Sequence, residues 1–337
     1  MRTFTYTAPS SVAEAVEAIA AAGDGAKFLA GGTTLYDLMK LGVERPPALV
    51  DVSRLAELTA IDTSGDTAGG DHLVFGGGAR MADVAADPVV RRDYPVLSES
   101  LWRAASQQLR NMATVAGNLL QRTRCPYFRG TEYPCNKREP GSGCAAREGI
   151  DRGSAVLGTS EACTAAYAGD WPVALVAFDA VIDVVGPRGE RTVALADLHR
   201  EPGDTPHREH TLDPDELVLR VRVPVTPAGR GSTYLKIRDR ESYAFALASA
   251  AVGLTVGAQG LVEECRIALG GVATRPWRAR AAEQVLTGRP LTDETARAAA
   301  EAALAGARAG THNGFKIELA ERTVVDALRI ARGRADR

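Results

Sequence analysis

The alternation of apolar and polar positions predicts a strand–helix–strand unit at the start of the chain. Residues 2–7 alternate in the manner of a strand, and Ser11 with Glu14 forms a capping-box pattern that opens an apolar helical run ending at Gly23. A second apolar strand, residues 27–30, follows and leads into a pair of glycines. Because strands that alternate with helices build sheets covered by helices, this beginning predicts an α/β domain.

The pattern changes in the last third of the chain. After further strand and helix patterns, a strand at residues 216–224 closes the first part. Residues 232–273 then contain several strand-like segments, which predict an antiparallel sheet. Alanine-rich helical patterns follow at about 276–287 and 292–308, and a final helix is predicted over 317–332. The whole chain is therefore predicted to belong to the α+β class.

Composition and charge narrow the functional classes. Hydrophobic residues make up 45% and charged residues 24% of the 337 residues, and the formal net charge is -2. Such a globular mixture offers no strong field for nucleic acid or an anionic membrane, so neither is predicted as a partner. No apolar stretch has the length of a membrane span or a signal peptide, which predicts a cytoplasmic protein. A subunit without a signal can also reach the periplasm by export together with a partner.

Residues 121–165 interrupt the strand and helix patterns. The segment is rich in Arg, Gly and Pro and poor in large aliphatic residues, so it cannot bury enough apolar surface to order itself unaided. It contains four of the five cysteines: Cys125, Cys135, Cys144 and Cys163. Their spacing lacks the close pairs of zinc sites and simple ferredoxins, so the residues alone leave a cluster, zinc and disulfides as alternatives. Cys265 alternates with apolar strand residues and is predicted to be a core thiol.

Two glycine-rich turns and one polar run are candidates for ligand binding. Gly31 and Gly32 lie between a strand and a helix, where their N–H groups can face a diphosphate and two following threonines add hydroxyl donors. Residues 76–79 form a similar turn, and residues 106–119 are rich in small and amide side chains. The alternative for each turn is a need for glycine on geometric grounds alone. Neither a P-loop nor a GxGxxG pattern is present.

Four motifs, in this order and at these distances, resemble the FAD-binding medium subunit of the xanthine dehydrogenase or molybdenum hydroxylase family. They are LAGGTTLYDLMK, QLRNMATVAGNL, DWPVALVAFDA and YLKIRDRESYAFALASAAVGL, and the tail from GGVATRPWRARAAEQVL resembles the C-terminal domain of that family. The resemblance implies a two-part α/β FAD-binding domain of the PCMH type over residues 1–224. It implies a smaller α+β C-terminal domain, an antiparallel sheet with helices, over residues 225–337.

The resemblance also implies a set of FAD-binding residues. The loop that holds the diphosphate corresponds to Ala30, Gly31, Gly32, Thr33, Thr34 and Leu35. Further flavin contacts correspond to Gly78, Ala79, Asn111, Thr114, Gly117, Asn118, Asp170 and Lys236. Lys236 is expected near the edge of the isoalloxazine, where a cation tunes the potential, and no acid or base catalyst is expected. On the residues alone, Lys236 could be a solvated strand lysine and Asp170 a helix N-cap before Trp171.

The cysteine-rich segment is similar to an insertion in a bacterial branch typified by periplasmic aldehyde oxidoreductases, whose flavin subunit holds a [4Fe-4S] cluster. The resemblance implies that the four clustered cysteines are the ligands of such a cluster. Several arginines lie among them and could raise the cluster potential, form a solvated face or serve in docking: Arg122, Arg124, Arg129, Arg138 and Arg147.

The resemblance implies an electron relay. A partner large subunit with the molybdenum cofactor oxidises substrate, a small subunit carries [2Fe-2S] centres, and this chain delivers electrons to an external acceptor. Two alternatives stay open on the sequence: a self-contained flavin oxidase, against which the small C-terminal domain counts, and a scaffold whose cysteines hold structural zinc. The substrate of the complex and the physiological acceptor are not predicted.

Overall fold

The structure, a computed structural model, describes residues 2–65 and 71–336. The outer limits of the two predicted domains, residues 1 and 337, therefore lie outside the described residues. In chain order the strands are β1 (Thr5–Thr7), β2 (Lys27–Leu29), β3 (Ala48–Asp51), β4 (Ile61–Asp62), β5 (His72–Gly76), β6 (Val181–Gly186), β7 (Gly189–Ala194), β8 (Leu217–Pro224), β9 (Ser232–Ile237), β10 (Ala248–Val256), β11 (Val262–Gly270) and β12 (Trp277–Arg278).

Short helices dominate the first two thirds of the chain, and longer ones close it. They are α1 (Val12–Ala22), α2 (Leu35–Lys40), α3 (Met81–Ala86), α4 (Pro88–Asp93), α5 (Pro95–Trp102), α6 (Gln107–Met112), α7 (Val115–Leu119), α8 (Pro126–Arg129), α9 (Trp171–Ala177), α10 (Leu195–Leu198), α11 (Arg280–Leu286), α12 (Asp293–Ala303) and α13 (Phe315–Ala335). Among the described residues, no helix combines the length and apolar character that crossing a bilayer requires.

The predicted strand–helix–strand beginning forms a small parallel sheet in the order β1-β3-β2. Helix α1 begins after Ser11, whose hydroxyl accepts the N–H of Glu14, and it ends at Gly23 with φ 72°. The capping box is not completed as predicted, because the Glu14 carboxylate accepts from the N–H and hydroxyl of Ser10. Ala15 and Ile19 on the buried face of the helix pack into the apolar core of this sheet.

A mixed core joins the second sheet to the helices around it. The sheet has the order β4-β5-β8-β6-β7 with antiparallel pairing. Phe75 and Trp171 meet edge to face in this core, with ring centroids 5.7 Å apart. The helical pattern across residues 98–110 is divided between α5 and α6, since Ala105 has φ 49° and cannot continue a helix.

The third sheet is antiparallel, in the order β12-β11-β10-β9; α11 and α13 lie against it, and α12 packs on these two helices. Helix α11 starts later than its pattern suggests, because Trp277 and Arg278 pair with β11 as strand β12. Cys265 pairs across the sheet with Leu254 and is 6% exposed, so the prediction of a core thiol is confirmed. Burial raises the pKa of this thiol to about 12. The predicted α+β class is likewise confirmed.

Candidate functional site

The structure brings the two glycine turns and the polar run together. The segment after α6 pairs with the second turn: the N–H of Met81 donates to the carbonyl of Ala113 (3.0 Å), and the N–H of Val115 donates to that of Ala79 (3.0 Å). The first turn lies against the same segment, since a Cβ added to Gly31 would overlap the backbone carbonyl of Met112. Glycine at position 31 is therefore required for this close approach.

The first turn presents free donors. The backbone N–H groups of Gly31, Gly32, Thr33 and Thr34 find no acceptor among the described residues, and neither threonine hydroxyl is bonded. Gly32 has φ 71°, a left-handed conformation that directs successive N–H groups to one side. Because these groups are only partly buried, an anion can reach them. The donor set fits a diphosphate.

The polar run supplies a buried acceptor without a donor among the described residues. The side chain of Asn118 is buried, and within residues 2–65 and 71–336 its Oδ1 has no hydrogen-bond partner. Its neighbour Thr114 caps α7, with Oγ1 accepting the N–H of Gly117 at 3.2 Å. The unpaired Asn118 Oδ1 can accept a hydrogen bond from an N–H group of a planar heterocyclic ligand. Asn111 and Gly117 are exposed on the outer side of the run.

Lys236 is buried and paired, so the alternative of a solvated strand lysine is wrong. Its side chain is 1% exposed, and Nζ donates to Asp170 Oδ2 (2.9 Å) and to the carbonyl of Arg103 (2.9 Å). Asp170 stands at the N-cap of α9, yet its carboxylate does not cap that helix; Oδ1 accepts the hydroxyl of Tyr234 at 2.7 Å. Tyr234 was missed on the sequence, although it shares a strand face with Lys236, two residues on.

The side chain of His199 contacts the C-terminal end of α7. Its Nε2 lies 2.9 Å from the carbonyl oxygen of Leu119, so this nitrogen carries the proton and donates, and the hydroxyl of Tyr167 donates to the same oxygen at 2.7 Å. Burial lowers the pKa of His199 to about 4. The imidazole is therefore neutral in the folded protein near neutral pH. Its hydrogen bond to Leu119 also restrains the preceding residue, Asn118.

Because the buried imidazole of His199 is neutral in the folded protein, the free energy of unfolding is expected to fall in acid. The pKa of His199 is about 4 in the folded protein and near 6.5 in the unfolded chain. Its contribution to the free energy of unfolding is therefore complete above pH 6.5 and is lost as the pH falls toward 4. We expect about 2–3 kcal/mol to be lost between pH 6.5 and 4.5, by the linkage of protonation to unfolding. His199→Gln keeps a donor but cannot be charged, so its urea midpoint should fall less over this range. His207→Gln, at an exposed position, should behave like the wild type, and identical pH profiles for both variants would contradict this assignment.

The four clustered cysteines line one small cavity. Cys135 and Cys144 face each other across an isolated antiparallel bridge, and Cys125 and Cys163 complete the lining. All four are free thiols, so the structure gives no support to the disulfide alternative. Burial raises the pKa of Cys125 and that of Cys163, the latter to about 11. Within the described part of the chain, no three His, Cys, Asp or Glu side chains are arranged to hold a metal ion.

Three of the five arginines join the segment to the rest of the protein, and the other two form contacts within it. Arg129 and Arg124 pair with Asp37 of α2, at 2.7 and 3.4 Å, and the Arg124 guanidinium stacks on Phe245. Arg122 pairs with Glu44 and Glu209 outside the segment. Within the segment, Arg138 donates to the carbonyls of Tyr127, Phe128 and Tyr133, and Arg147 forms an exposed pair with Glu161.

A separate cleft lies away from these residues. It measures about 780 Å³ and is bordered by Trp102, Arg230 and Arg334, and none of the predicted cofactor residues lines it. The second turn and the polar run are joined by backbone hydrogen bonds, and the first turn lies against the polar run. The Lys236–Asp170 pair is held by its own contacts to Arg103 and Tyr234.

Two families of known proteins match successive parts of the chain. Residues 2–226 match the family described as the FAD binding domain in molybdopterin dehydrogenase, and residues 233–331 match the CO dehydrogenase flavoprotein C-terminal domain. The chain is 48% identical over 336 residues to the aldehyde oxidoreductase FAD-binding subunit of Escherichia coli K12, covering 99% of this chain and 100% of that protein.

More distant relatives match over most of their length. The carbon monoxide dehydrogenase medium chain of Hydrogenophaga pseudoflava is 29% identical over 302 residues, which cover 90% of this chain and 86% of that protein. A solved structure of that bacterium's carbon monoxide dehydrogenase superposes with a TM-score of 0.76 at 30% identity, covering 99% of this chain and 98% of its own. The chain therefore belongs to the family of FAD-binding medium subunits of molybdenum hydroxylases, and it is an oxidoreductase subunit.

Proposed function

We propose that this chain is the electron-transfer subunit of a molybdenum hydroxylase of the aldehyde oxidoreductase or xanthine dehydrogenase type. It would receive electrons from the [2Fe-2S] centres and molybdenum cofactor of small and large partner subunits and pass them to an external acceptor. The proposal rests on two features that occur in the same chain: free N–H donors at residues 31–34 and a cavity lined by four cysteines. The 48% identity to an aldehyde oxidoreductase subunit supports it.

The FAD would be held by residues of the first turn, the second turn and the polar run. The free N–H groups suit the diphosphate, the orphaned Asn118 Oδ1 suits the ring, and Lys236 supplies a buried cation close to Asp170. When bound, FAD supplies the redox chemistry that no side chain provides. The proposed division is an FAD-binding domain over 1–224 and a C-terminal domain over 225–337; it is supported by two family matches, of which the first ends at 226 and the second begins at 233.

The four cysteines would hold one [4Fe-4S] cluster. Each thiolate of such a cluster binds a different iron atom, so the sulfur atoms stand farther apart than those around a single zinc ion. A cysteine-lined cavity without a single-ion arrangement is consistent with that requirement. Cations near the cavity, such as Lys137, would offset the negative charge of the bound thiolates.

The proposal is tested by combining the chain with its partner subunits. The purified chain alone should not oxidise aldehydes or purines, whereas the assembled complex should reduce a dye when substrate is added. Substrate turnover by the isolated chain would instead favour the self-contained oxidase. An absorption spectrum with flavin, iron and zinc assays distinguishes the third alternative, since a zinc scaffold would be colourless.

Gly32→Val is expected to weaken FAD binding. A branched side chain at φ 71° costs about 1–2 kcal/mol, so the turn should leave its left-handed conformation and the dissociation constant should rise roughly five- to thirty-fold. Gly260→Val is the matched control, because Gly260 has φ 75° with open space around it in the turn after β10. Fluorescence titration with FAD measures both. Equal loss of affinity in the two variants would show that the effect is general strain.

A further inference from the structure

Helix α2 connects the first glycine turn to the cysteine cavity. Its first turn is bonded directly to the glycine turn, because the N–H of Tyr36 donates to the carbonyl of Gly32 and that of Leu38 to the carbonyl of Thr34, both at 3.0 Å. A shift of the helix must therefore move the carbonyls and N–H groups of the turn. The N–H groups proposed to hold the FAD diphosphate belong to this same turn.

Asp37, in the first turn of α2, attaches the helix to the cysteine-rich segment by charge. Asp37 accepts two hydrogen bonds from Arg129, Nη1 to Oδ2 at 2.7 Å and Nη2 to Oδ1 at 3.2 Å, and a third from Arg124 at 3.4 Å. The bidentate geometry fixes the direction of the carboxylate as well as its distance. Arg124 precedes Cys125, and Arg129 is the last residue of α8; Cys125 and residues of α8 line the cavity.

Apolar packing also attaches α2 to the cysteine-rich segment. Leu38 is 2% exposed and forms one apolar cluster with Phe128 and Cys135, against which Cys125 and Val43 pack. Two of the four cavity cysteines, Cys125 and Cys135, therefore contact the apolar cluster that buries Leu38. Leu38 is the residue next to Asp37. Close-packed interiors transmit such displacements, because neighbouring side chains have no free space in which to absorb them.

We propose that Asp37 is a positioning residue, through which the state of the cysteine cavity sets the geometry of the FAD-binding turn. The inference rests on the proposed function and adds to it a coupling between two sites. A filled cavity fixes Cys125, Cys135 and α8, the Arg129–Asp37 pair then holds α2, and α2 holds residues 31–34 in their binding conformation. Coupling of this kind is reciprocal, so bound FAD must also order the cysteines.

The first test measures FAD affinity of the full chain with and without iron. Wild-type chain is freed of FAD by bromide dialysis, and half is depleted of iron by a chelator. The iron-free chain should bind FAD roughly five- to 150-fold more weakly, the usual range of coupling between sites. In Asp37→Asn the ratio should approach one, with the iron-loaded variant as weak as the iron-free wild type. Asp37→Glu should restore part of the ratio.

The control is Lys40→Gln on the same helix. Lys40 lies over the ring of Tyr36 at 5.3 Å and is exposed, so this change alters the charge of α2 without removing a contact to the cysteine-rich segment. It should keep the wild-type ratio. A mere loss of stability in Asp37→Asn would weaken both forms equally and leave the ratio unchanged, and that outcome would overturn the proposal.

The second test needs no iron and separates the two hypotheses. In the iron-free chain, FAD should slow alkylation of Cys125 and Cys135 by iodoacetamide in the wild type and should have no effect in Asp37→Asn. A chain that never takes up iron but shows this protection would refute the cluster and keep the coupling. Absence of FAD protection in the wild type, or equal protection in Asp37→Asn, would refute the coupling whatever the iron content.

Discussion

Cys163→Ser is expected to remove most of the iron from the chain. The wild type should contain about four irons per chain with the broad visible absorption of a [4Fe-4S] cluster, whereas the variant should contain less than about one, because a serine hydroxyl replaces a thiolate ligand poorly. Cys163 is 6% exposed within the cavity lining, so no other side chain can take its place without rearrangement. Iron assay and absorption spectrum measure the change.

Loss of the cluster should also loosen the segment that carries it. Residues 121–165 contain few large apolar side chains and depend on other contacts for their order, so limited proteolysis should cut the variant there first. The same result is expected for the serine variants at Cys125, Cys135 and Cys144. Cys265→Ser is the control, since this thiol packs in the C-terminal sheet and its loss should cost only modest stability. One zinc per chain in the wild type, or a thiol count that reveals two disulfides, would defeat the prediction.

Lys236→Ala should lower the free energy of unfolding by about 3–5 kcal/mol, the usual cost of leaving one member of a buried ion pair without its partner. Among the side chains that the structure describes, Asp170 would keep the hydroxyl of Tyr234 alone, and Tyr234 is itself fully buried. Urea unfolding followed by tryptophan fluorescence is a suitable measurement, because Trp171 adjoins Asp170 in the core.

The double variant Lys236→Met, Asp170→Asn separates stability from electron delivery. Removing both charges leaves no unpaired ion, so most of the lost stability should return. The cation proposed to tune the flavin is still missing, and dye reduction by the assembled complex should remain slow. If the double variant reduces the dye at the wild-type rate, Lys236 has a purely structural role.

The local patterns of the chain determined the elements of secondary structure and the order of its motifs. Gly23 ends α1 as predicted, because a residue with positive φ stops a helix. Cys265 is buried as its alternation with apolar neighbours indicated. Such features depend on a few adjacent residues, and a sequence displays them directly.

Only the tertiary structure decided which distant groups meet. Lys236 could have been a solvated strand lysine, and its burial depends on Asp170, which lies 66 residues away in the chain. Asp37, which no motif singled out, acquires its role from Arg129, 92 residues further along the chain. The backbone break at Ala105 was equally invisible, since alanine favours helix when isolated. Sequence fixes local propensity over a few residues, whereas burial and charge pairing depend on contacts between distant segments, which form only when the whole chain folds.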